Sequence, residues 1–196
     1  MEKVRVRVME ILEKLKILAE GAKYDVSCVS SGSSRKNTGR GVGETFIGGI
    51  CHTFTSDGRC ISLLKVLLSN ECVFNCAYCI NRISSDIPRA TFEPRELAEI
   101  TINFYRRNYI EGLFLSSAVY KNSNYTMELI LKTIKMLREE YMFNGYIHIK
   151  AIPGADYRLI EEAGTYADRM SVNIELPSND SLKLLAPQKK KEIILG

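Results

Sequence analysis

The chain has 196 residues, 45% of them hydrophobic and 26% charged, which suffices for one good core and argues against a disordered segment. A net charge of +4 permits a polyanionic partner without requiring one, and the basic clusters Arg35, Lys36, Arg40 and Lys189–Lys191 read most simply as solvated surface. No apolar run approaches the ~20 residues of a membrane span, and residues 1–20 lack the apolar centre of a signal peptide. Six cysteines without a secretory signal point to a reducing, cytoplasmic setting, where clustered thiols bind metal or catalyse more often than they pair.

In chain order, residues 4–20 predict a helix: Val8, Ile11, Leu12, Leu15 and Leu18 recur at helical spacing, and Gly21 is a natural stop. Residues 27–49 are rich in Gly and Ser and predict a loop. From residue 61 strands and helices alternate. Ile61–Leu68 is a short apolar run of buried-strand type, and a cysteine-rich loop follows it directly. Pro94–Arg107 predicts a helix with proline in its first turn, Gly112–Ser117 a strand, and Thr126–Tyr141 a helix with Ile130, Ile134 and Leu137 on one face. Tyr146–Ile152 predicts a strand, Asp156–Ala163 a short helix ended by Gly164, Met170–Leu176 a strand, and Ser181–Leu185 the start of a helix.

Four βα units imply parallel strands with right-handed crossovers. An eight-unit barrel needs about 250 residues, so the expectation is an α/β fold holding a partial, truncated TIM-type barrel. Residues 1–60 would form an N-terminal helix and a Gly/Ser-rich, Cys-containing extension; residues 61–196 would form the N-terminal part of the barrel, continuing in a longer protein.

The chemistry concentrates in the loop Glu71-Cys72-Val73-Phe74-Asn75-Cys76-Ala77-Tyr78-Cys79. Three thiolates on one short loop can hold three irons of a [4Fe–4S] cluster, which normally takes four. The fourth iron then keeps an open position, by the logic that separates catalytic from structural metal sites. Two other readings compete. A structural zinc site would draw a fourth ligand from Cys28, Cys51, His52 or Cys60; alternatively the thiols are inert and buried.

Active sites of such sheets lie at the C-terminal ends of the strands, where this loop falls. Strand alternation puts Tyr146, His148 and Lys150 on one face and Ile147, Ile149 and Ala151 on the other. In the next strand Ser171, Asn173 and Glu175 oppose Val172, Ile174 and Leu176. One face is apolar, for packing helices. The polar face needs partners or a polar ligand, which makes His148, Lys150, Asn173 and Glu175 cofactor-binding candidates; an internal Lys–Glu or His–Glu network is the alternative. Ser116 and Ser117 end a strand and offer hydroxyls, unless they merely cap a turn. Tyr78 offers a ring beside Cys79, or is a core aromatic. Cys28, Cys51 and Cys60, with His52, form a candidate second metal site whose spacing matches no common motif.

With Cys72, Cys76, Tyr78 and Cys79 after a first strand, the chain resembles the radical S-adenosylmethionine (radical SAM) superfamily. It is most similar there to the DNA modification/repair radical SAM proteins, through AKYDVSC (22–28), GICHTFTSDGRCISLLKVLLSNECVFNCAYCINR (49–82), PRATF (88–92), FYRRNYIEGLFLSS (104–117), FNGYIHIKAIPGA (143–155) and ADRMSVNIELPS (167–178). The resemblance implies a [4Fe–4S] cluster on the three cysteines and S-adenosylmethionine chelating the open iron. It implies methionine contacts at Leu115–Ser117, ribose contacts at Asn173 and Glu175, a DNA substrate, and a low-potential electron donor such as flavodoxin or ferredoxin. Two departures stand out. No Gly-Gly-Glu run follows the second strand, and such proteins continue into later strands and a helix-hairpin-helix-like segment. A radical SAM enzyme acting on a small molecule or protein, and a non-enzymatic Fe–S or zinc interaction module, are the competing functions.

Overall fold

Cys60–Leu67 forms strand β2 of a five-stranded sheet in the computed structural model, which describes residues 2–22, 24, 50–54 and 60–195. Helix α1 is Glu2–Ala22 and strand β1 is Ile50–Phe54. After β2 come α2 (Pro94–Arg106), β3 (Gly112–Ser116), α3 (Ser123–Glu139), β4 (Tyr146–Lys150), α4 (Tyr157–Tyr166), β5 (Arg169–Ser171), α5 (Asn179–Leu185) and α6 (Lys191–Leu195). The sheet order is β1-β2-β3-β4-β5. β2 to β5 run parallel, joined by α2, α3 and α4, whereas β1 pairs antiparallel with β2.

The two-sided character of the strands dictates how the sheet packs. Leu64 and Val66 of β2, Leu113 and Leu115 of β3, and Ile147 and Ile149 of β4 are fully buried in one cluster with Leu97, Ile130, Ile134 and Leu137 of the covering helices. Each such side chain contributes about 1.5–3 kcal/mol of burial free energy. The opposite face is layered. Ile61, Leu63 and Phe114 form an apolar floor with Tyr146 packed against it, and Lys65, His148, Ser116 and Lys150, all buried, lie toward the C-terminal ends.

Several expectations need correction. Gly21 does not stop α1, which runs to Ala22; the glycine instead lets the helix approach β2, since a Cβ there would meet Leu67 Cδ1 at 2.9 Å. Gly164 lies inside α4, which continues to Tyr166. The Met170–Leu176 strand shrinks to Arg169–Ser171, because the chain leaves the sheet to cross the strand ends, with Glu175 at φ 67. α3 begins at Ser123, where the Asn122 side chain accepts the Tyr125 N–H at 2.8 Å. β1 and α6 carry no clear signal in the sequence; β1 pairs antiparallel with β2. The Gly/Ser-rich loop of 27–49 lies outside the described residues.

Arg138, in the last turn of α3, locks the back of the sheet. Its guanidinium donates to the carbonyls of Tyr166 (3.0 Å), Phe143 (2.6 Å) and Gly145 (2.8 Å) and to Asp168 (2.7 Å), which also accepts the Ile147 N–H at 2.7 Å. Arg138→Ala should cost roughly 2 kcal/mol, since it strands several acceptors at once. Arg138→Lys should recover less than half of that, lacking the planar fork. Urea unfolding checks both; a lysine variant equal to the parent would show that only the charge matters.

Candidate functional site

The cysteine loop leaves the C-terminal end of β2 and is sewn to its neighbours through backbone groups. Leu68 N–H donates to Ser116 O (2.8 Å), Val73 N–H to Val119 O (3.0 Å) and Ile83 N–H to Phe74 O (2.9 Å). Asn70, buried at the start of the loop, donates to Pro88 O and accepts from Ala90 N–H, each at 2.8 Å. Ala77 N–H donates to Leu185 O of α5 at 2.7 Å. Cys76 is only 4% exposed and packs with Leu182, Ala186 and Ile194, so α5 and α6 wall the loop from outside.

Cys72, Cys76 and Cys79 are free thiols that line one cavity of about 450 Å³, within the range of small-molecule sites. Tyr78, Ser116, Ser117, Lys150, Asn173 and Glu175 line the same cavity. His148 lies one layer deeper, edge-on to Phe114 with ring centroids 4.5 Å apart, and bonds Ser171 Oγ through Nε2 at 2.8 Å. The polar face is internally paired as well. Lys150 Nζ donates to Asn173 Oδ1. The Glu175 carboxylate accepts from Tyr78 Oη (2.6 Å) and Lys189 Nζ (2.5 Å). A positive φ is uncommon outside glycine, and these two bonds hold Glu175 in it.

Lys189 escaped the sequence reading because it sits in a run of three lysines that looks solvated. It reaches the cavity and forms an ion pair with Glu175 that is mostly shielded from solvent. Burial, together with the bond to Glu175, pushes the Tyr78 hydroxyl far up, so the phenol stays protonated and a donor. Of the candidate second site, Cys28 lies outside the described residues. Cys51 and His52 occupy β1 positions opposite Leu63 and Ser62, and Cys60, exposed, stands opposite Phe54.

Do the thiols suit a metal group? A single zinc with four sulfur ligands at about 2.3 Å needs sulfurs that nearly touch. Among the described residues, no three of His, Cys, Asp and Glu converge so closely. A cluster places each thiolate on a different iron and therefore wants its ligands spread around a larger volume. Three soft donors on one rim of a roomy cavity fit that requirement.

Burial pushes the thiols of Cys76 and Cys79 up; the neighbouring thiols add to this and Lys189 opposes it. The folded values then exceed the unfolded ones. The associated stability is complete below the unfolded thiol value of about 8.5 and is lost as pH rises through the folded values. Thermal unfolding of metal-free protein should show a steeper fall from about pH 8 to 10 in the parent than in Cys76→Ser/Cys79→Ser. Equal slopes would refute the burial argument. Iron uptake should move oppositely, rising with pH because the ligands must lose protons.

No family model matches the chain, and no curated protein matches it. Solved structures do. The crystal structure of methylornithine synthase (PylB) superposes with a TM-score of 0.55 at 15% identity, covering 66% of this chain and 37% of that one. HydG, a maturase of the [FeFe]-hydrogenase, gives a TM-score of 0.52 at 18% identity, covering 64% of this chain and 28% of its own. The fold is a partial TIM-type barrel, an architecture shared with these two structures. At these identities the likeness is one of architecture, and the chain spans about a third of the length of either neighbour. In this partial barrel the cysteines follow the first parallel strand, and Ser116 ends the second with Ser117 just beyond it. Among the described residues no helix is long and apolar enough to cross a membrane.

Proposed function

We propose that the chain is the cluster-bearing part of a radical SAM enzyme. One observation carries the reading: three free thiols and the polar ends of the parallel strands line a single cavity at the C-terminal edge of the sheet. Both structural neighbours are radical SAM enzymes, which supports it. Cys72, Cys76 and Cys79 would hold a [4Fe–4S] cluster. When bound, such a cluster supplies the electron that splits S-adenosylmethionine and releases a 5′-deoxyadenosyl radical.

This chain's own groups then bind and orient. Ser116 and Ser117, on the same cavity as the thiols, would offer hydroxyls to the polar parts of the cofactor. Lys150 and Asn173 offer a cation and an amide to the polar parts of the cofactor, and Tyr78 offers a half-exposed ring. The Glu175 carboxylate is already engaged by Tyr78 and Lys189, so a ribose contact there requires exchange of one of those bonds.

The substrate proposed is a base in DNA, a reading supported by the sequence resemblance alone; a duplex base would have to flip out to reach the cavity. A flavodoxin or ferredoxin in a reducing cytoplasm would supply the electron. The test is anaerobic reconstitution with iron and sulfide, followed by reduction with S-adenosylmethionine present and chromatography for 5′-deoxyadenosine. Product confirms the chemistry. Stoichiometric zinc with no cluster and no product sinks it. Deuterium transfer between the cofactor and a labelled oligonucleotide tests the DNA reading separately.

A further inference from the structure

We infer that Arg89 is the positioning residue of the cysteine loop, a single guanidinium that ties both ends of the loop together and so presents Cys72, Cys76 and Cys79 to one cavity before any metal arrives. The part of this that concerns metal rests on the function proposed above; the clamp itself is geometry. Arg89 Nη1 donates to Asn70 O (2.5 Å) and Asn81 O (3.0 Å), and Nη2 donates to Arg82 O (2.7 Å) and Ser85 O (2.8 Å). Asn70 precedes Cys72 by two residues, and Asn81 and Arg82 follow Cys79 by two and three. The four Nη hydrogens therefore meet four loop carbonyls, one on the incoming strand side and three on the outgoing side.

The base of the clamp is fixed as well. Asn70 N–H donates to Ala90 O (3.2 Å), and the Asn70 side chain pairs with Pro88 O and Ala90 N–H. Arg89 is thus held from both flanks by the residue whose carbonyl it binds. Among the described residues no carboxylate pairs with Arg89. Its charge is satisfied by carbonyl dipoles alone, and charge-assisted bonds of this kind are the strong ones. Only a planar fork can reach four acceptors that diverge in this way; lysine offers three donors at one point and glutamine two. Arg89 does not line the cavity. It acts through the loop, as groups behind a metal's ligands do when they orient them.

Three measurements on the parent, Arg89→Lys and Arg89→Gln decide the matter. They are amide hydrogen exchange of the metal-free protein, iron and sulfide content after anaerobic reconstitution, and the EPR spectrum of the reduced cluster. In Arg89→Gln, exchange across residues 70–85 should quicken about ten-fold or more while β3 and β4 keep their protection, and bound iron should fall by a similar factor. Arg89→Lys should keep the parent's thermal midpoint yet lose loop protection, and the cluster it still assembles should give a broadened EPR signal. That signal is a change that a role in overall folding would not produce. Parent-like exchange and loading in Arg89→Gln would overturn the clamp. If Arg89→Gln fails to fold, parent-like exchange in Arg89→Lys overturns it alone. If the parent takes up no cluster while the variants still lose loop protection, the clamp stands and the function proposed above fails.

Discussion

Cys76→Ala should assemble no stable cluster and release no 5′-deoxyadenosine above background, a loss of about 100-fold or more. Cys76 is the most buried of the three thiols and sits between the loop and the wall made by α5 and α6. Among the described residues no other cysteine or histidine lines the cavity, so an iron that loses Cys76 finds no substitute there. Removing one sulfur from a small buried side chain should cost the fold only about 1 kcal/mol. Circular dichroism and the thermal midpoint should therefore stay near those of the parent while bound iron disappears. Cys60→Ala is the matched control: Cys60 is exposed and lies outside the cavity, and its loss should leave loading unchanged. Parent-level product from Cys76→Ala would overturn the assignment of the loop. A large loss of iron in Cys60→Ala would revive a second metal site.

Gly112→Ala should be the most destabilising single-methyl change in the sheet, at about 3 kcal/mol. Gly112 opens β3 between Leu63 of β2 and Tyr146 of β4. A Cβ there would lie 2.2 Å from the Tyr146 carbonyl oxygen and 2.7 Å from Leu63 Cδ2. The first of these is backbone and cannot rotate away. To make room, β3 and β4 must part at their first rung, breaking the register that carries Ser116 and Lys150 to the cavity. For a chain of this size the thermal midpoint should drop by roughly 6–12 °C, and Gly112→Val should fare worse. A fall of about 2 °C or less would mean that the strands yield more easily than the packing implies.

What the sequence disclosed follows from which forces are local. The alternation of Tyr146, Ile147, His148, Ile149 and Lys150 is a period-2 signal, and the observed burial of Ile147 and Ile149 on the helix side, with His148 and Lys150 opposite, answers to it directly. The three cysteines are neighbours in the chain, so their convergence on one cavity needed no tertiary knowledge. Other features depend on distant partners. Met170–Leu176 alternates as a strand should, yet only Ser171 and the two residues before it pair with β4, because Glu175 is drawn away to Tyr78 and Lys189. Gly164 has the look of a helix stop in sequence, but it does not adopt the left-handed conformation of a glycine cap, and α4 continues to Tyr166. Lys189 and Arg89 look like ordinary surface cations in sequence. Only folding reveals that one enters the cavity and the other grips the loop.

The antiparallel strand β1 has a bearing on how a barrel built on this sheet can close. β2 is hydrogen-bonded on both flanks, to β3 on one side and β1 on the other. A fully parallel eight-stranded ring closes by laying its last strand against its first, and that berth is filled here. A ring built on this sheet cannot shut parallel strand upon parallel strand at β2; among the described residues the free edge on that side belongs to β1, so any closure there has to be made against a strand that runs opposite to its neighbour.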